Sequence, residues 1–128
     1  MATPIILDCD PGHDDAVALL LAAGNDAIDL LAVTTVAGNC PLELATLNAR
    51  RVAALAGLEG VPIAAGAARP LRGELVTAPD IHGETGLDGY ELTTGEAPLD
   101  PRSAIELMVA RRWVAPPSAM PAPATFTK

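Results

Sequence analysis

Pro4-Ile-Ile-Leu-Asp8-Cys-Asp10-Pro-Gly-His-Asp14-Asp15, running on into Ala16-Val-Ala-Leu-Leu-Leu-Ala-Ala23 and Gly24, is the stretch that decides the fold. A short apolar run entered through a proline and ending in acids reads as a buried parallel strand leaving its sheet at the carboxyl end. Asp14 and Asp15 then precede an apolar block closed by Gly24, acids at the start of a helix and a glycine at its end. Ile28 to Val36 is a second β-branched run, closed by Gly38-Asn39. Pro41 fits the first turn of a second helix, with Leu44, Leu47, Val52 and Leu55 at helical intervals before Gly57. Val61-Pro-Ile-Ala-Ala65 reads as a third strand. Strands alternating with helices of this length require right-handed crossovers. The expected class is therefore α/β: an open, mostly parallel, Rossmann-like sheet with helices on both faces, stopping after about three strands.

Further along, the pattern changes. Residues 66–98 hold Gly66, Gly73, Gly83, Gly86, Gly89 and Gly95 with Pro70, Pro79 and Pro98, and predict a long loop of the kind that carries function. A last helix is expected from Pro101 to about Arg112, with Ile105, Val109 and Trp113 on one face. After Trp113 the composition becomes Ala-Pro-Pro-Ser-Ala-Met-Pro-Ala-Pro-Ala, in which the prolines forbid helix and nothing large is left to bury. Residues 1–113 are expected to form the folded portion and 114–128 a disordered Ala/Pro-rich tail.

The 128 residues carry 16 acidic and 8 basic side chains, for a net charge of −8. Residues 1–49 contain seven acids and no lysine or arginine, which argues against nucleic-acid and anionic-membrane partners and favours a bound cation. The longest apolar stretch, Ala16 to Gly24, is too short to span a bilayer, and the N-terminus lacks signal-peptide character, so a cytoplasmic location is expected. Cys9 and Cys40 fit that compartment as reduced, buried thiols.

Asp8, Asp10, Asp14 and Asp15 place four carboxylates within eight residues. Alternation puts Asp8 and Asp10 on one side of the strand, Pro11-Gly12 turns the chain, and Asp14 and Asp15 begin the helix beside them. Two carboxylates about 4 Å apart repel by roughly 4 kcal/mol at an effective dielectric near 20, more than a helix N-terminus offsets. A cation must supply the rest, or some acids must be protonated. Hard oxygen ligands suit Ca²⁺ or Mg²⁺, and because calcium takes six to eight oxygens this segment offers only part of a shell. An EF-hand is ruled out, because a loop starting at Asp8 puts His13 where its glycine belongs and Leu19 where its glutamate belongs.

Ile5-Ile-Leu-Asp-Cys-Asp-Pro-Gly-His-Asp-Asp-Ala16, with Thr34-Thr-Val-Ala-Gly-Asn39, Asn48-Ala49, Val61-Pro-Ile-Ala-Ala-Gly66, Pro70-Leu71 and Ile81-His-Gly-Glu-Thr-Gly86, resembles the inosine/uridine-preferring nucleoside hydrolase family over about residues 4 to 112. The resemblance implies hydrolysis of the N-glycosidic bond of ribonucleosides, with a Ca²⁺ ion holding the ribose and the attacking water. By matching positions it makes Asp10 and Asp15 calcium ligands and Asp10 also the base. Asp14 and Asn39 would hold ribose hydroxyls, with Asp8 in support. His82 falls in a segment that flanks the nucleobase in this family and is a candidate substrate contact. His13, in the turn, is expected to make local hydrogen bonds, and Cys9 to face the buried side of the sheet. The resemblance also implies a homo-oligomer for full-length members, which are more than twice as long. On this reading residues 1–113 are the N-terminal portion of a hydrolase domain, expected to fold poorly and to lack activity by itself.

Two other readings compete. A haloacid-dehalogenase-type phosphatase also places Asp-x-Asp after an apolar strand, although Pro-Gly-His after Asp10 departs from its pattern. A non-catalytic fragment that binds a cation or a partner is the alternative from outside enzymology.

Overall fold

The structure, a computed structural model, describes residues 1–89 and 91–111. Its elements are β1 (Thr3–Cys9), α1 (His13–Ala23), β2 (Ile28–Thr35), α2 (Leu42–Leu55), β3 (Ile63–Ala65), α3 (Pro79–His82) and α4 (Ala104–Arg111). The three strands lie in the order β1-β2-β3 and are all parallel, with Asp8 opposite Thr34 and Cys9 opposite Thr35. A register shift between Ile5 and Ile6 leaves Leu31 as an extra residue of β2. The α/β class expected from the sequence is the one observed.

Two right-handed crossovers that step in the same direction put their helices on the same face. Cys9, Val33 and Ile63 accordingly share one core cluster with Leu19 of α1 and Ala49, Val52 and Ala53 of α2. Ala32 and Ala64, one residue out of phase, meet Leu107 of α4 on the opposite face, with Ile6 beside them. The sheet is thus covered on both sides. It is thin, because so many of its contact residues are alanines.

Several boundaries differ from the sequence expectation. β3 starts at Ile63, not Val61, since Pro62 has no N–H and joins the sheet only by accepting a bond from the Val33 N–H (3.0 Å). Pro41 precedes the first residue of α2, and its carbonyl accepts from the Leu44 and Ala45 N–H groups. The buried face of α2 consists of Ala45, Thr46, Asn48, Ala49, Val52 and Ala53, while Leu55 is exposed. Small residues let the helix approach the sheet, and Thr46 bonds to Thr35 of β2 across that contact (2.8 Å).

Helix α4 begins at Ala104, not Pro101, because Ser103 and Glu106 close a reciprocal cap. The Ser103 N–H donates to the Glu106 carboxylate (2.8 Å) and the Glu106 N–H to the Ser103 hydroxyl (3.3 Å). Ahead of it, the Arg102 guanidinium grips Asp100 (2.7 and 2.8 Å) and holds that carboxyl down at about 2. Ile105 and Val109 do share a face, but it is the outer one, 74% and 66% exposed, while Ala104 and Leu107 face the sheet. Trp113 and the expected tail 114–128 lie outside the described residues. Within the expected loop 66–98 the structure adds the single-turn α3. No helix among the described residues is long and apolar enough to cross a membrane. Cys9 and Cys40 are both free and buried, as expected.

Candidate active site

The acids gather where β1 ends and α1 begins. Asp8, the last outward residue of β1, accepts a hydrogen bond from the Thr34 hydroxyl (2.6 Å) and is thereby tied into the sheet. Asp10 lies one residue past the strand, where the chain is free to turn. One of its carboxylate oxygens accepts from the Asn39 N–H (2.6 Å), and its carbonyl accepts from the Asn39 side-chain amide (3.1 Å). Gly38 allows this approach, because a Cβ there would collide with the Asp10 carboxylate. The Asp10 N–H donates to an Asp15 carboxylate oxygen (2.9 Å), so α1 delivers Asp15 to the back of the same turn. Asp14 stands exposed in the first turn of α1. Asp10, Asp15 and Asn39 are therefore brought together directly, with Asp14 adjacent in the chain.

The electrostatics reflect that crowding. Burial raises the Asp15 pKa, and the charges of Asp14 and Asp10 push the same way, against the bond from the Asp10 N–H. Burial also drives the Cys9 thiol up to about 12, reinforced by Asp15, Asp8 and Asp10, so this sulfur has no nucleophilic form near neutrality. The ion pairs among the described residues, Arg50–Glu96, Arg51–Glu96 and Arg102–Asp100, leave these acids uncompensated.

Such a donor set fits a hard divalent cation. Among the described residues no group of three or more His, Cys, Asp or Glu could hold a metal ion, so they provide a partial shell at most.

The glycine-rich loop packs over this turn. The His82 ring lies against Gly12, where any Cβ would collide with it, and stacks on His13 with centroids 5.5 Å apart. Their Nδ1 atoms are 3.3 Å apart, and His13 Nε2 donates to the Asp88 carbonyl (2.9 Å), an acceptor that forces the hydrogen onto that nitrogen. The partners of His13 are thus distant in sequence, contrary to the local bonding expected of it. The loop folded back over the turn, and only the tertiary path supplies Asp88. Ala78 ties the start of the loop to the Asn39 carbonyl (2.9 Å). Asn48 of α2, which the sequence reading quoted without assigning a role, donates to the carbonyls of both Pro11 (3.2 Å) and Thr85 (2.8 Å). Its signal was an amide on a helix face made mostly of small residues. An open groove of about 640 Å³ lies beside Asn48, Thr85 and Asp88, and Asp8, Asp10, Asp14 and Asp15 do not line it.

A family model for inosine-uridine preferring nucleoside hydrolases matches residues 5–126. The chain belongs to the nucleoside hydrolase family. It is 52% identical over 110 residues to an inosine-uridine preferring nucleoside hydrolase of Leishmania major, covering 85% of this chain and 35% of that protein. It is 50% identical over 108 residues to a pyrimidine-specific ribonucleoside hydrolase, RihA, of Photobacterium profundum, covering 84% and 35%. Among solved structures, a plant nucleoside hydrolase, PpNRh1, superposes with a TM-score of 0.79 at 33% identity over 87% of this chain and 36% of its own. A purine-preferring ribonucleoside hydrolase of Gardnerella vaginalis does so at 0.75 and 25% identity, over 84% and 35%. The chain thus spans about a third of the length of the hydrolases it matches. Membership of this family decides against the phosphatase reading.

Proposed function

We propose that this chain supplies the acidic, cation-binding part of a site that hydrolyses ribonucleosides to ribose and free base. The reading rests on the joining of Asp10, Asp15 and Asn39 at the carboxyl edge of the sheet, where open α/β sheets bind their ligands. Asp10 and Asp15 would ligate Ca²⁺, Asp10 would take the proton from the attacking water, and Asp14 and Asn39 would hold the ribose hydroxyls. His82 would stand beside the substrate. Calcium, when bound, supplies orientation of the sugar diol and polarisation of water. The carboxylates themselves oppose the positive charge that builds on the ribose ring as the glycosidic bond lengthens. Relatives named for different bases match this stretch to nearly the same extent, 50% and 52%, so purine or pyrimidine choice is assigned to neither.

Calorimetric titration of Ca²⁺ into the chain and into Asp10→Asn tests the ligand assignment. The variant should bind at least roughly tenfold more weakly, and equal affinity removes Asp10 from the shell. The chemistry is tested by replacing the matching segment of the Leishmania major hydrolase with residues 1–111 of this chain. In that protein Asp10→Ala should lower kcat by about 10² to 10⁴. Efficient cleavage of 2′-deoxyinosine would overturn the roles given to Asp14 and Asn39.

A further inference from the structure

Pro11 in the acid-bearing turn and Thr85 in the glycine-rich loop are each 37 residues from Asn48 in sequence, yet this one side chain joins them. Asn48 is 4% exposed and sits on α2, whose buried face is locked to the sheet through Ala49, Val52 and the Thr46–Thr35 bond. Both of its bonds go to carbonyl oxygens, which only accept, so the amide nitrogen must face them and each of its two hydrogens is used. One goes to the carbonyl of Pro11, the residue directly after Asp10. The other goes to Thr85, three residues after His82. Gly86 makes this approach possible: it has φ +82°, and a Cβ there would press on Asn48 Nδ2 and Cys40 Sγ. No other standard side chain of this length offers two hydrogens from one nitrogen without carrying a charge.

We propose that Asn48 is a positioning residue that sets the distance between the Asp10–Asp15 turn and the loop carrying His82. A rigid helix thus fixes how the loop sits against the acid-bearing turn. This rests on reading those acids as the nucleoside site, and it adds a residue that acts only through the carbonyls of Pro11 and Thr85.

Hydrogen–deuterium exchange of the full chain tests it, because the loop has internally bonded amides to follow at Gly83, Gly86 and Asp88, with β2 as reference. Asn48→Asp keeps the shape but removes both donors, and should speed exchange across residues 79–89 roughly tenfold or more while β2 stays protected. Asn48→Gln, which retains the two donors, should recover most of the loop protection. Unchanged loop exchange in Asn48→Asp overturns the proposal. So does a rise in the loop and β2 together, which would mark a scaffold role, or a wild-type chain whose β2 and loop both exchange freely. These measurements are made without metal or nucleoside. Repeating them on the Leishmania major chimera with Ca²⁺ and inosine or uridine separates the two claims: no added loop protection with either nucleoside counts against the nucleoside reading and leaves the Asn48 result standing.

Discussion

Asp15 registers the cost of gathering carboxylates against one turn. Its pKa is raised by burial and then by the charges of Asp14 and Asp10. A carboxyl whose folded-state pKa exceeds its unfolded value favours folding only while protonated, and its ionisation above that range weakens the fold. Asp15→Asn should therefore raise the melting temperature of the metal-free chain at pH 7. The gain should shrink to nothing as the pH falls below the unfolded carboxylate value, roughly 3.9, where both states are protonated. On the proposed calcium assignment the same substitution should weaken Ca²⁺ binding, because the charge that burial penalises is the one a cation needs. Calorimetric unfolding at pH 7 and pH 3.5, paired with calcium titration, checks both halves, and a lower melting temperature at pH 7 would contradict the electrostatic account. The place of Asp15 in the acidic turn was legible from its neighbours in the chain. Its bond to the Asp10 N–H was not, because that depends on the angle at which α1 leaves the turn.

At the scale of elements, α4 shows local chemistry overriding a familiar start signal. Pro101 is an ordinary first residue for a helix, yet Asp100 and Arg102 hold a tight turn there and the Ser103–Glu106 cap takes over. Ser-x-x-Glu was present in the sequence, so this boundary was readable. Ser103→Ala should cost about 1 kcal/mol, the usual worth of an N-cap. Leu107→Ala, which empties the contact with Ala32 and Ala64, should cost about 2 to 5 kcal/mol. Urea unfolding of the two variants checks the ranking. A larger loss for Ser103→Ala would mean that capping, and not sheet packing, holds α4. Which face of α4 is buried was not legible, since Ile105 and Val109 form a better apolar pair than Ala104 and Leu107. Two alanines on the sheet leave a hollow suited to one leucine.

At the scale of the whole fold, and among the described residues, apolar side chains lie exposed on the outer faces of the helices that cover the two sides of the sheet. Val17, Leu20 and Leu21 line the outside of α1, and Ile105 and Val109 the outside of α4. β1, at the end of the sheet, presents a second edge with no strand paired to it among the described residues. Exposed apolar faces and an open edge favour association. Leu21→Lys combined with Ile105→Lys should lower concentration-dependent self-association without lowering thermal stability by more than about 0.5 kcal/mol, since neither side chain is packed in the core. Sedimentation velocity across a concentration series is the check, and association unchanged by the two lysines would contradict a contact through Leu21 and Ile105.

The order of strands and helices, the parallel sheet and the acidic turn were all determined by the sequence. Each follows from patterns within a few residues: apolar runs, caps, glycines and the spacing of Asp8, Asp10, Asp14 and Asp15. What only the tertiary structure decided are the contacts between segments far apart in the chain. Stacking of His13 on His82 and the hydrogen bond from Asn48 to Thr85 depend on where the glycine-rich loop comes to rest, and the hold of Asn39 on Asp10 on how the turn after β2 meets the end of β1. A loop without hydrophobic periodicity encodes its path weakly, so its place is set by the side chains of the helix and strand edge that it meets.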